Sequence, residues 1–306
     1  MLYSSIVLFI VTICFTRQYT FKFNNQGFKD FYDKSSPIFK LGFFMSLNLI
    51  FGQICNFVIK LYLNDSGASS QVLGYYEVST VILVNYLGLI FNAMSYDFFP
   101  KLTSISIDNE KVKQLVNNQI EIALILVTPA IILLYLAAPF LIELLYTKEF
   151  ANTFLILKFA LFSVIIKAIV FPLGYIVLVK GDKKLFFKQA FFSDFLNLIF
   201  SIVLYKYFGL LGLGIAYFIH YLIYAFYIYK IVNKHYDFSF EESCKKLIRV
   251  SLIIGLLAIA VIYSCAQLYI YILIALLFLV SILYSYSEFN KSINIKELIQ
   301  KKLFKK

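Results

Sequence analysis

Charged and amide side chains inside long apolar stretches are the residues here whose chemistry needs a reason. Each is costly to place in hydrocarbon and is retained where it faces a bundle interior or a wet cavity. Lys167 stands near the middle of TFLILKFALFSVIIKAIVFPLGYIVLV, too deep to carry its ammonium easily to an interface. Pro172, five residues on, can bend that helix and free a backbone carbonyl. A central cation beside a kink suits an anion-binding cavity; the structural alternative is a lysine paired with a carboxylate for packing. Asn48, Gly52, Asn56 and Lys60 recur at i+4 steps with Gln53 beside them, which places a polar and small stripe along one helix. Asn85, Gly88, Asn92 and Ser95 repeat the device at spacings of three, four and three. Such stripes line a cavity or pack a neighbouring helix, and Lys60 lies near enough to a helix end to snorkel. Glu77 and Asp97 flank the second stripe, and Asp194 with Asn197 lies near the end of a later apolar run. These carboxylates are candidates for coupling transport to a proton or sodium gradient, against the plainer reading that end-of-helix acids are solvated. His220, alone in an aromatic run, is expected to satisfy a neighbouring hydroxyl.

The elements that must position these residues follow from composition. Of 306 residues, 61% are hydrophobic and 15% charged, against roughly 45–50% and 25% in soluble domains. An ordinary soluble enzyme is excluded. Apolar runs occur near 2–16, 38–63, 73–98, 119–141, 153–179, 189–207, 211–231, 248–267 and 269–287, so the fold class is all-α, a polytopic transmembrane bundle of about nine spans. The segments 17–37, 100–118, 180–188, 230–249 and 288–306 carry 4, 3, 4, 5 and 6 Lys plus Arg, whereas the four alternate connections hold only Lys148 and Lys206. This alternation assigns the rich segments to the cytoplasm, with the N-terminus outside and the C-terminus inside. The net charge of +11 therefore reports sidedness rather than nucleic-acid binding. The tail KELIQKKLFKK sets Leu298, Ile299, Leu303 and Phe304 among lysines, a composition suited to an anionic leaflet.

Cys14, Cys55, Cys244 and Cys265 are scattered, and His220 and His235 are the only histidines. No disulfide framework, metal site or cofactor is expected. The sequence lacks G-x-S-x-G, H-E-x-x-H and P-loop motifs, and its longest lysine-poor loop, near 64–72, is too short for external sugar chemistry. The expectation is a transporter rather than an enzyme.

Residues 73–150 carry Gly74-Tyr75-Tyr76 opening a span, Asp97-Phe98-Phe99-Pro100-Lys101-Leu102 closing it, Asp108-Asn109 before a basic loop, Asn117 to Glu121 entering the next span, Pro129 within it, and Leu144-Leu145-Tyr146 with Phe150 beyond. Gly181-Asp182-Lys183-Lys184 and Gly209-Leu210-Leu211-Gly212-Leu213-Gly214 follow. In these patterns of hydropathy and turns, over about residues 37–235, the chain resembles the bacterial oligosaccharide flippases, or O-antigen translocases, of the multidrug/oligosaccharidyl-lipid/polysaccharide exporter superfamily. The resemblance implies a two-lobed bundle whose cavity faces each side alternately and carries a polyprenyl-diphosphate-linked oligosaccharide outward. Cavity cations would hold the diphosphate, a role that maps onto Lys167 and Lys60, with Asn48, Gln53, Asn56, Asn85 and Asn92 lining the cavity.

It also implies more spans than are present. The expected organisation is a residual first-lobe span (1–16), a basic cytoplasmic linker (17–37), a six-helix second lobe (38–231), and two extra spans with a basic tail (232–306). The resemblance leads to a partial flippase of the bacterial inner membrane serving O-antigen or capsule assembly. Its partners would be the lipid-linked oligosaccharide, membrane lipids, and a missing N-terminal lobe or other polysaccharide-assembly membrane proteins. Two alternatives stay open, a cation-coupled small-molecule exporter of the same superfamily and a membrane enzyme or polymerase of polysaccharide synthesis.

Overall fold

The computed structural model describes residues 9, 11–13, 28–65, 70–264 and 267–292. Most of the first apolar run, the start of the basic linker and the tail beyond 292 lie outside the described residues. The chain divides into two units, Met1–Gly42 and Phe43–Lys306; the described residues of the first are helical. The helices are α1 (Phe28–Asp65), α2 (Ser70–Thr80), a π-helical segment Val81–Tyr86, α3 (Gly88–Ser104), α4 (Asn109–Leu145), a 3-10 turn Lys148–Asn152, α5 (Thr153–Val179), α6 (Lys183–Tyr236), α7 (Glu242–Ser264) and α8 (Gln267–Ser292). No strand occurs among the described residues. Seven described helices are long and apolar enough to cross a membrane, with α2, the π segment and α3 counting as one rod over Gln71–Ser104.

The 54-residue α6 would measure about 80 Å if straight, against about 30 Å of hydrocarbon. It does not run straight. Gly209 takes φ 58°, ψ −139°, a backbone that favours glycine, and the chain reverses there. Phe192 and Tyr227 then meet with ring centroids 4.2 Å apart. Ser193 Oγ shares a hydrogen bond of 2.8 Å with His220 Nε2. Two antiparallel arms, 183–208 and 210–236, are each long enough to cross, which divides the seven helices into eight candidate crossings among the described residues. They coincide with eight of the nine apolar runs.

Several helices outlast their apolar runs. Residues 28–37, 109–118, 183–188 and 232–236 are helical, so the basic connections contract to short turns at 105–108, 180–182 and 237–241. At 37 residues, α4 is about 55 Å long and must project beyond the hydrocarbon. Asp108 starts it, its carboxylate accepting from the Glu110 and Lys111 amides at 3.1 and 3.2 Å, as an N-cap does.

α5 is the hub of the second unit. Ile156, Leu157, Ala160, Leu161, Val164, Ile165, Ala168 and Ile176 are buried around it, the pattern of a helix that is apolar on every side and surrounded by neighbours. α6 approaches it closely at Gly214, where an added Cβ would stand 2.3 Å from the Ile156 carbonyl oxygen. Small residues permit such backbone contact between membrane helices.

Candidate functional site

Lys167 leaves the middle of α5 half-buried, with its ammonium 5.0 Å from the Phe91 ring centroid on α3. No carboxylate of a described residue lies within ion-pair distance. Phe91 packs on Phe171 at 5.2 Å, and Phe171 on Tyr175 at 5.0 Å, so an aromatic wall supports the cation. A ring face attracts an ammonium but leaves its hydrogen-bonding capacity unused. Asn92, next to Phe91, and Asn85, inside the π-helical segment, are exposed. The π segment adds a residue to the local turn, a device frequent at functional sites and without a signature in the hydropathy pattern.

A second polar zone joins α1 to the first arm of α6. Phe51 stacks on Phe191 at 4.1 Å, and Tyr62 meets Tyr205 edge-on at 6.2 Å. Between these pairs, Asp194 fills the space over Gly52, where an added Cβ would lie 3.1 Å from the carboxylate Oδ2. Asp194 has no hydrogen bond or ion pair with a described residue. Nearby on the same two helices, Asn48 Oδ1 and Asn197 Oδ1 are buried without hydrogen-bond partners among the described residues, as is His220 Nδ1 on the second arm. Ser193 gives His220 the hydroxyl partner expected for it. Unpartnered buried oxygen acceptors around a carboxylate are chemically suited to a proton, a monovalent cation or ordered water. Asn56 is half-buried on the same helix, whereas Gln53 is exposed and lines an apolar groove of about 430 Å³ with Leu49, Ile50, Ile54 and Phe57. The stripe on α1 thus splits between two faces.

Lys60 and Glu77 meet each other. They form a 2.6 Å ion pair between α1 and α2, with side chains 38% and 43% exposed. Asp97 pairs with Lys101 one turn along α3 at 2.6 Å, on an exposed surface. Of the three candidate coupling acids, Asp194 is the one without a lysine.

Two positions gain a role that the pattern of spans does not announce. Asn117, buried in α4, donates Nδ2 to the Lys113 and Ser239 carbonyls at 2.9 and 3.1 Å and accepts from the Glu241 amide at 3.0 Å. It thereby clamps the 237–241 turn. Lys158, inside an apolar run like Lys167, is held between the rings of Phe154 and Tyr263 at 5.9 and 5.3 Å; its signal in the sequence is a lysine one turn inside a span. Among the described residues no group of three His, Cys, Asp or Glu could hold a metal ion.

The fold is that of a solved structure, the lipid II flippase MurJ in an inward closed conformation, with a TM-score of 0.63 and 19% identity. The alignment covers 95% of this chain and 60% of that one, so this chain spans three-fifths of the length of the protein it matches. No curated protein matches the sequence. The family model described as polysaccharide biosynthesis protein matches residues 1–155, half of the sequence. A multi-pass helical chain that matches this model over half of its length belongs to the polysaccharide biosynthesis protein family.

Proposed function

We propose that this chain moves a polyprenyl-diphosphate-linked oligosaccharide across the bacterial inner membrane for assembly of O-antigen or capsule, with its N-terminus outside and its C-terminus in the cytoplasm. The observation that carries the reading is Lys167, an ammonium in mid-helix on an aromatic wall with no anion among the described residues. Family membership and the likeness to a lipid II flippase fold support it. A phosphate about 4 Å from that ammonium would gain on the order of 4 kcal/mol at an effective dielectric of 20, and charge-assisted hydrogen bonds would orient it. Asn85 and Asn92, with Asn48, Gln53, Asn56 and Lys60, would offer the glycan hydrogen-bonding partners along the path. Residues 38–231 would act as one lobe, moving against a second helical lobe to expose the cavity to each side in turn.

Asp194 would couple this motion to a proton or monovalent cation, with the Asn48 and Asn197 oxygens completing the site. Glu77 would change partner between Lys60 and solvent, and Asp97 would stay at the surface with Lys101. Carriage of a ready-made lipid-linked sugar requires no bond to be made or broken, so the role is transport and not catalysis. In cells whose surface glycan depends on this gene, Lys167→Ala should abolish the glycan at unchanged protein level, and Lys167→Arg should restore part of it. A normal glycan in Lys167→Ala cells would remove the diphosphate role.

A further inference from the structure

A second unpaired cation lies toward the lysine-poor end, away from Lys167. Lys158 is five residues past Thr153, the start of α5, so it sits about 7.5 Å inside the helix, and nine residues, about 13.5 Å, from Lys167. Phe154 and Tyr263 face its ammonium with their rings, and no carboxylate of a described residue pairs with it. The side chain lines a cavity of about 570 Å³ formed by α4, α5, α7 and α8. Tyr135 anchors this part of α5, its hydroxyl donating to the Lys158 carbonyl at 2.7 Å.

The cavity has two chemically different parts. Lys158, Lys148, Thr147 and Tyr271 bring ammonium and hydroxyl donors to it. Glu143 is the only carboxylate in the described lining, and Lys148 already engages it at 3.2 Å. Two lysines against one glutamate leave the lining cationic. Ile262 on α7 and Ile270 and Ile274 on α8 supply an apolar wall, and Ile272 and Leu276 continue an exposed apolar surface along α8. A cation beside hydroxyl donors, continuous with a surface that faces hydrocarbon, fits an amphiphile with an anionic head. A free inorganic anion would leave the apolar wall unused.

We propose that this cavity binds the phosphate headgroup of an anionic phospholipid from the leaflet at the lysine-poor end, held by Lys158 and by the Thr147 and Tyr271 hydroxyls, with its acyl chains along α8. The ammonium is the phosphate's principal contact, and Lys148 answers Glu143. The site has its own cavity and does not rest on the transport reading.

The test uses the purified chain in lipid nanodiscs containing phosphatidylglycerol with a photoactivatable group beside its head. Cross-links are mapped by peptide mass spectrometry and compared with those from phosphatidylcholine of the same chains. Phosphatidylglycerol should label residues 143–158 and 267–276 preferentially. That labelling should fall about tenfold in Lys158→Gln, the equivalent of roughly 1.4 kcal/mol, and return in Lys158→Arg, while labelling at the lysine-rich end stays constant as an internal reference. Thr147→Val, at an exposed position, gives an independent reading with a smaller loss, about threefold, should Lys158→Gln fail to fold. Equal labelling by the two lipids, or unchanged labelling in a folded Lys158→Gln or Thr147→Val protein, would overturn the proposal. Loss of the label on adding excess inorganic phosphate would make this a small-anion site and overturn the lipid assignment as well.

Discussion

Gly214→Ala isolates the close backbone contact between α6 and α5. The new Cβ would stand 2.3 Å from the Ile156 carbonyl oxygen and 3.1 Å from its carbon, where ordinary contact begins at 3.4 Å. Subtracting 2.3 from 3.4 Å, the two backbones must part by about 1.1 Å. Both obstructing atoms are main chain, so no side-chain rotation relieves the clash. A gap of about 1 Å forfeits a quarter to a half of the dispersion well for atoms across the contact, and overpacking costs typically about 1–3 kcal/mol. A backbone clash in the hub helix belongs at the upper end, about 2–3 kcal/mol. Gly174→Ala, on α5 itself, is the control. Its nearest neighbours are Tyr224 Oη at 3.9 Å and Gln189 Nε2 at 4.0 Å, and alanine favours helix over glycine by up to about 1 kcal/mol. Thermal unfolding in detergent, followed by loss of the monodisperse chromatographic peak, should give a lower midpoint for Gly214→Ala and an equal or higher one for Gly174→Ala. A Gly214→Ala midpoint at or above wild type would refute the close-contact argument.

The Lys60–Glu77 pair is partly exposed, so a double-mutant cycle with Lys60→Met and Glu77→Gln should give a coupling of about 0.2–1 kcal/mol, and strictly additive singles would show that the pair is not formed. Asp108 is held below the ordinary carboxylate value of 3.8 by amide and ammonium hydrogen bonds from Lys111. Its contribution is therefore complete above that value and is lost as pH falls through the lower native one; Asp108→Asn should flatten the acid side of the stability profile, and an unaltered slope would refute the assignment. Asn117→Ala removes three hydrogen bonds from a buried site and should cost about 2–3 kcal/mol. Amide hydrogen exchange at Glu241 should then accelerate, and exchange at the wild-type rate would mean that the clamp is not what orders the turn.

Hydropathy located the crossings because a span is a property of about twenty residues averaged together. It even separated the two arms of α6, since the runs 189–207 and 211–231 part around Gly209. Helix ends were less legible: residues 109–118 and 183–188 are too polar to register as membrane, yet they continue the helices that emerge from it. The π-helical turn at Val81–Tyr86 leaves no compositional trace. Spacing alone set Asn48, Asn56 and Lys60 on one stripe, but a stripe does not say what it meets. Across the helix boundary Lys60 finds Glu77, Gly52 receives Asp194, and Gln53 turns outward. Lys167 was legible because depth within a span is a one-dimensional quantity; the Phe91 ring beneath it, 76 positions earlier in the chain, was not.

The reversal at Gly209 also bears on how the chain enters the membrane during synthesis. Its two arms share one residue of turn, and each hides its polar groups against a neighbour: Ser193 against His220, Gln189 against Tyr224. An arm released alone into lipid would leave these hydrogen-bonding groups unpaired in hydrocarbon, at a cost of about 2 kcal/mol or more for each. Insertion one helix at a time is therefore disfavoured here, and the two arms should leave the translocon as a preassembled hairpin. Residues 183–236 would then enter the bilayer together.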